Sequence, residues 1–306
     1  MAAAAPLRAL LERSIDYAGL FPPASLALEP ALRNHAGYVS TADSWMLGAF
    51  ILPVAQFDAA SESVAQFNRE HPLRISALGS KTDSATAFLE CLTSTRAAIG
   101  LFLARHGAAA SINQLEMPLP ADFGAELLKE AHAIIDDLKL NAFWEAPADA
   151  AERTIKLIAE HNQAPAHHFG YKLRTGGVTA DAFPSSDEIA AALVAAAKHH
   201  VPIKFTAGLH HPVRQFHASV QTKMHGFLNV LGAGVLAAEH GWEAEQGAEM
   251  LDDEDPGSFS FEDGLFAWRE WTIAIDRIKA RRRLVTSFGS CSFDEPREDL
   301  RALNLF

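Results

Sequence analysis

Two lysines stand where strands should be dry. The stretch "GYKLRTGG" runs from Gly170 to Gly177, and "VPIKFTAGLHHP" from Val201 to Pro212. Each opens as a short apolar strand and closes in glycines, with Lys172 and Lys204 near the end of the strand. Residues two apart in a strand share a face, so Lys172 aligns with Arg174 and Lys204 with Thr206. Acids hold comparable places: Asp16 in "SIDYAGLF", Glu116 in "QLEMPLP" and Glu145 in "NAFWEAP". An unpartnered buried charge is costly, so these groups must pair with one another or meet a ligand.

A lysine in a dry pocket beside a second cation loses its proton more readily and can attack a carbonyl to form a Schiff base. Lys172 and Lys204 on neighbouring strands would make such a pair, one as nucleophile and the other lowering its pKa. Glu116 or Glu145 would move protons. Three glycine-bearing ends accompany them: Arg174-Thr175-Gly176-Gly177, Thr206-Ala207-Gly208 and Ser287-Phe288-Gly289. Such ends present backbone N–H groups to a phosphate or carboxylate, and Arg174 adds a guanidinium fork. Asp16, Thr175 and Ser287 complete the expected substrate contacts, and the expected ligand is a small anionic metabolite.

The fourteen histidines supply the competing reading. A metal-dependent lyase or isomerase would set two carboxylates and a histidine around a divalent ion: Glu116, Glu145 and His210 or His211. No HxH, HExxH or Cys/His spacing accompanies them, so no cofactor is expected and a divalent metal is the alternative. Without a metal, His210 or His211 is a general acid/base candidate. His167, His168, His199 and His200 flank strand starts and read as surface or capping residues, and His225 reads equally as packing. Cys291 has no paired base nearby in sequence. A barrel that binds a small acid without turnover, or serves as a structural subunit, is the non-catalytic alternative.

Positioning these groups needs a regular frame. Eight strand-like runs alternate with helical stretches, which implies parallel strands and helical crossovers: a single-domain (β/α)8 TIM barrel over residues 1–306, with an open doubly wound sheet as the alternative. "AAIGLFLA", Ala97 to Ala104, reads as the end of a helix that begins near Ser84. Ser185 or Ser186 offers an N-cap to a helix with a buried stripe of Ile189, Leu193 and Ala196. Residues 210–283 are too long for one crossover. They read as a helical insertion after strand seven, with helices around "GFLNVLGAGVLAAEHG" and "LFAWREWTIAIDRIK", acting as a lid or an oligomer contact.

The formal charge of −12 argues against nucleic acid and anionic membranes. "KARRR", Lys279 to Arg283, is the one dense basic run and reads as a solvated helix end. Two cysteines without a CxxC pair fit a reducing compartment. No secretory leader and no uninterrupted apolar run of bilayer length is evident, so a cytoplasmic protein is expected. Nucleotide fingerprints and a GxSxG elbow are absent.

Two resemblances add to this reading. "YKLRTGG" and "IKFTAG" resemble, in position, the Schiff-base (class I) aldolases built on TIM barrels, which use a strand-six lysine with a second on strand seven. That resemblance implies Lys172 as the Schiff-base residue and Lys204 as its modulator, in a lyase or isomerase acting on a small carbonyl compound. "DYAGLFPPA", "KLRTGG", "TAGLHHP" and "GFLNVL" are similar to a group of bacterial proteins labelled hypothetical. This second resemblance implies a common site near those motifs and brings no reaction with it.

Overall fold

The computed structural model describes residues 3–163 and 168–306. Its centre is a closed barrel of eight parallel strands: β1 (Ile15–Tyr17), β2 (Leu47–Pro53), β3 (Leu73–Leu78), β4 (Ala110–Pro118), β5 (Asn141–Glu145), β6 (Gly170–Arg174), β7 (Ile203–Thr206) and β8 (Val285–Ser290). The order follows the chain, and β8 closes on β1 through Ile15↔Phe288, Asp16↔Gly289 and Tyr17↔Ser290. This is the (β/α)8 architecture, and all eight strands fall in the expected stretches. Ala97–Ala104 is helical, within Ala85–His106, and the Ser84 hydroxyl accepts a hydrogen bond from Ala87 N.

Strand parity decides what the barrel interior holds. Partner residues along β3 and β4 jump from Ile75↔Ile112 to Ser76↔Gln114, leaving Asn113 as an extra residue. A one-residue bulge flips the face of everything beyond it. Here it lets Ile112 pack with Leu115 and Met117 in the apolar core, while Gln114 and Glu116 meet the lysines of β6 and β7.

The helix Ser186–His199 takes Ser185 as its N-cap, completed by Glu188 in a capping box, and buries the expected Ile189, Leu193 and Ala196. His200 ends it in the left-handed conformation (φ 55°), donating its backbone N–H to Ala196 and Ala197. His167 lies outside the described residues. Ala85–His106 is long and apolar enough to cross a membrane by length and composition, although Glu90 and Arg96 interrupt it.

The segment after β7 departs from its reading. A short hairpin (Gln215–His217 with Thr222–Met224) precedes the buried helix Phe227–His240. The stretch read as a second helix is instead an antiparallel hairpin, Leu265–Trp268 with Trp271–Ala274, followed by the shorter helix Ile275–Arg281. Trp268 and Trp271 are three apart, a spacing that fits a helix face as well as opposite sides of a two-residue turn; Arg269 at φ 51° makes the turn. The helix Ala244–Asp252 packs against Ser186–His199 and Phe227–His240, and the strand Trp271–Ala274 also meets Phe227–His240. A Cβ at Gly232 would sit 2.8 Å from Phe266 in that layer. KARRR is not wholly solvated either, because the Arg282 guanidinium bonds the carbonyls of Val285, Thr286 and Glu12.

Candidate functional site at the barrel mouth

The polar residues of β1 and β4–β7 form one file of alternating charge. Lys204 on β7 is fully buried between Asp16 on β1 and Glu116 on β4, 2.8 Å from Glu116 Oε1, and Gln114 accepts a further bond from its Nζ. Asp16 also accepts from Ala49 N and from Ser287 Oγ, each at 2.6 Å. The second oxygen of Glu116 is 2.8 Å from Lys172 Nζ, and Lys172 is also 2.8 Å from Glu145 Oε2. Arg174 ends the file, its Nε 3.7 Å from Glu145 Oε1. Ser76 on β3 donates to Glu116 from the side.

Pairing governs the protonation of this file. Burial alone would drive Glu116 toward its neutral acid, but Lys172 and Lys204 outweigh it and hold the carboxyl far below its ordinary range. Burial likewise works against both ammonium groups, yet Glu116 with Glu145 raises Lys172, and Asp16 with Glu116 raises Lys204. Both shifts run opposite to the depression of one lysine by the other that the sequence suggested. The two residues are register partners, but Glu116 stands between their charges.

Above Lys172 opens a cavity of about 540 Å³. Glu116, Glu145, Lys172 and Arg174 line it, joined at the rim by Thr206, Gly208, Gly177, Gly289 and His210. Lys204, Asp16 and Ser287 do not reach it; they form the buried root of the file, which corrects the substrate-contact role expected of Asp16 and Ser287. Thr175 is another correction. It is fully buried, and its hydroxyl donates to Ala207 O at 2.6 Å, tying β6 to the turn after β7. Gly176 serves close packing: a Cβ there would lie 2.8 Å from Gly208 Cα and 2.6 Å from the Phe183 ring. Gly208, at φ 78°, makes the turn that brings the two loops together.

The histidines separate. His210 borders the main cavity and a smaller adjoining one of about 200 Å³, whereas His211 borders the smaller but not the main cavity and bonds Asp299 at 2.6 Å. Glu116, Glu145 and His211 thus share no cavity, and among the described residues no group of three or more His, Cys, Asp or Glu is placed to hold a metal. His225 packs, contacting Pro184 O and Arg214.

Sequence reasoning missed the base beside Cys291, and missed Lys81 and Gln114 altogether. Cys291 Sγ lies 3.8 Å from His210 Nδ1, which is also 3.0 Å from Glu295, so the cysteine has a neighbouring base after all, 81 positions away. Burial would lower His210, but Cys291 and Glu295 more than compensate and raise its pKa to about 9. Lys81 lines the cavity from the loop after β3, where its place just beyond a strand end was the available signal. Gln114 could have been found by parity with Glu116.

No family model and no curated protein matches the chain. Among solved structures it is similar to the crystal structure of AsfvAP:AG, at 13% identity and a TM-score of 0.43, over 78% of this chain and 89% of that one. It is also similar to a GH10 endoxylanase retrieved from a sugarcane soil metagenome, at 12% identity and a TM-score of 0.42, over 94% and 88%. These scores carry no inference about a reaction.

Proposed function

We propose that the chain is a barrel enzyme that moves a proton next to the carbonyl of a small anionic substrate, in an isomerisation or a C–C bond cleavage. One observation carries the reading: an ammonium, Lys172, stands between two carboxylates at the base of a cavity rimmed by Arg174 and Lys81. In an isomerisation Glu145 takes the proton from the carbon beside the carbonyl and returns it to the neighbouring carbon. In a cleavage it takes the β-hydroxyl proton as the C–C bond breaks and returns it to the enolate carbon. Lys172 donates a hydrogen bond to the carbonyl oxygen as negative charge builds there. Arg174 and Lys81 hold the substrate's carboxylate or phosphate. Glu116 keeps Lys172 charged throughout, and Lys204 keeps Glu116 ionised.

This assignment differs from the nucleophile implied by the aldolase resemblance. An amine attacks only when neutral, and the raised pKa of Lys172 favours its charged form. The test is deuterium exchange from solvent into a panel of small keto acids and sugar phosphates, followed by proton NMR, beside borohydride treatment of the same mixtures. Exchange that needs Glu145 and leaves no adduct supports proton transfer by a charged Lys172. A borohydride-fixed adduct on Lys172 would restore the Schiff base and sink the acid role.

A further inference from the structure

The opposite end of the barrel carries a second polar site. Two cavities open there, of about 350 and 270 Å³, and share Glu12 and Arg13. Arg8, Arg13 and Arg74 line the larger; Arg13, Lys279, Arg282 and Arg283 line the smaller. The acids bordering them are Glu12 and Glu70, both exposed. In a chain of net charge −12 this is a strong local reversal of sign.

Two observations mark the larger cavity as built for a ligand. Among the described residues, neither the Arg13 nor the Arg74 guanidinium has an ion-pair or hydrogen-bond partner. Arg96, Arg269, Arg277 and Arg297, by contrast, each hold a carboxylate. Arg74 is instead destabilised as a cation, first by burial and then by Arg13. Secondly, His35 borders the same cavity with 1% of its surface exposed, and neither ring nitrogen has a hydrogen-bond partner. A buried imidazole with both nitrogens unsatisfied is costly unless something else engages one of them.

We infer that the cavity at the N-terminal end of the barrel is a binding site for a phosphate group, free or carried as a monoester, held by Arg13 and Arg74 with His35 as a neutral donor. A doubly charged oxyanion fits two guanidinium forks that repel each other, because it relieves the repulsion and offers several acceptor oxygens. Arg8 backs the site from its seat 4.8 Å over the Trp45 ring. The proposed reaction at the mouth plays no part in this inference.

The experiment is thermal denaturation of the full chain against inorganic phosphate, at ionic strength held constant with chloride, for the parent chain, Arg74→Gln, Arg13→Gln and Arg174→Gln. Phosphate is expected to raise the parent Tm with a saturable component that survives in Arg174→Gln and whose half-saturating concentration is at least tenfold higher in Arg74→Gln and Arg13→Gln. Arg13 is exposed, so its variant stays informative if Arg74→Gln fails to fold. Phosphate monoesters of increasing size then separate free phosphate from an esterified ligand. No stabilisation beyond the chloride control overturns the inference. So does a response that vanishes in Arg174→Gln and survives in the other two variants, because the anion would then sit at the mouth.

Discussion

The two ends of the barrel handle charge in opposite ways. At the mouth every charge of the file has an opposite neighbour within hydrogen-bond or ion-pair reach, and the file alternates in sign from Asp16 to Arg174. At the other end arginines gather with, among the described residues, no carboxylate paired to them. The difference teaches where each end draws its electrostatic balance. The mouth is balanced within the fold, so its geometry is fixed before a ligand arrives. At the opposite end Arg282 is satisfied by backbone carbonyls, but Arg13 and Arg74 are left for a ligand to balance.

The sharpest way to break this contrast is Glu116→Gln. It leaves two buried ammonium groups without their shared partner, and removing one member of a buried pair costs about 3–5 kcal/mol. Urea denaturation should show that loss, and a change under 1 kcal/mol would mean that the file contributes little. Lys204→Met should cost a similar amount, because it strands Asp16 and Glu116. By contrast, Lys172→Arg should keep the fold and part of the exchange activity, since a cation remains, whereas Lys172→Ala should abolish exchange while the chain stays folded.

Acid should reach the other end first. His35 has its pKa lowered to about 3 by burial and, secondarily, by Arg74. An unfolded chain therefore binds a proton there below about pH 6.5 that the folded chain does not. Stability from this group is full above that pH and falls toward pH 3, by about 1.4 kcal/mol per pH unit for one such group. Glu116, with its lowered pKa, acts in the same direction but only below the ordinary carboxylate range. Between pH 6 and 5 His35 shares the slope with His161, held at about 4, and with His106 and His225, all lowered first by burial, so His35→Phe should reduce the slope without abolishing it in denaturation curves taken across that range. The smallest effect expected is at Arg13. Without phosphate, Arg13→Gln should stabilise by a few tenths of a kcal/mol through lost repulsion, and a clear destabilisation would point to an unseen partner.

What the sequence made legible was local. The eight strands are short, apolar and closed by glycine or proline, and Lys172 with Arg174 shares a face by simple alternation. Ser185 announces its helix by the glutamate three residues on. The unreadable part depended on distance or ambiguity. That Glu116 separates the two lysines is a fact of barrel closure, and so is the meeting of His210 with Cys291. Trp268 and Trp271 fit two elements equally, and burial in the outer layer chose the hairpin. The basic run looked solvated because nothing local shows that Arg282 turns back onto the carbonyls of Val285 and Thr286.

The charge file also bears on how the chain reaches its native state. Its members come from positions spread across nearly the whole sequence: Asp16 meets Lys204 188 residues away and Ser287 271 residues away. Contacts of such separation form after local ones, because the chain entropy of closing long loops must be overcome first. Until β8 docks on β1, Asp16 lacks Ser287 and the ring around Lys204 stays open to water. The root of the file is thus completed only when the ring closes, which the long separations of its contacts place late in assembly. Substitutions at Asp16 or Ser287 should accelerate unfolding far more than they slow folding, whereas changes inside helix Ser186–His199 should slow folding. Stopped-flow rates for Ser287→Ala would show which limb of the chevron moves.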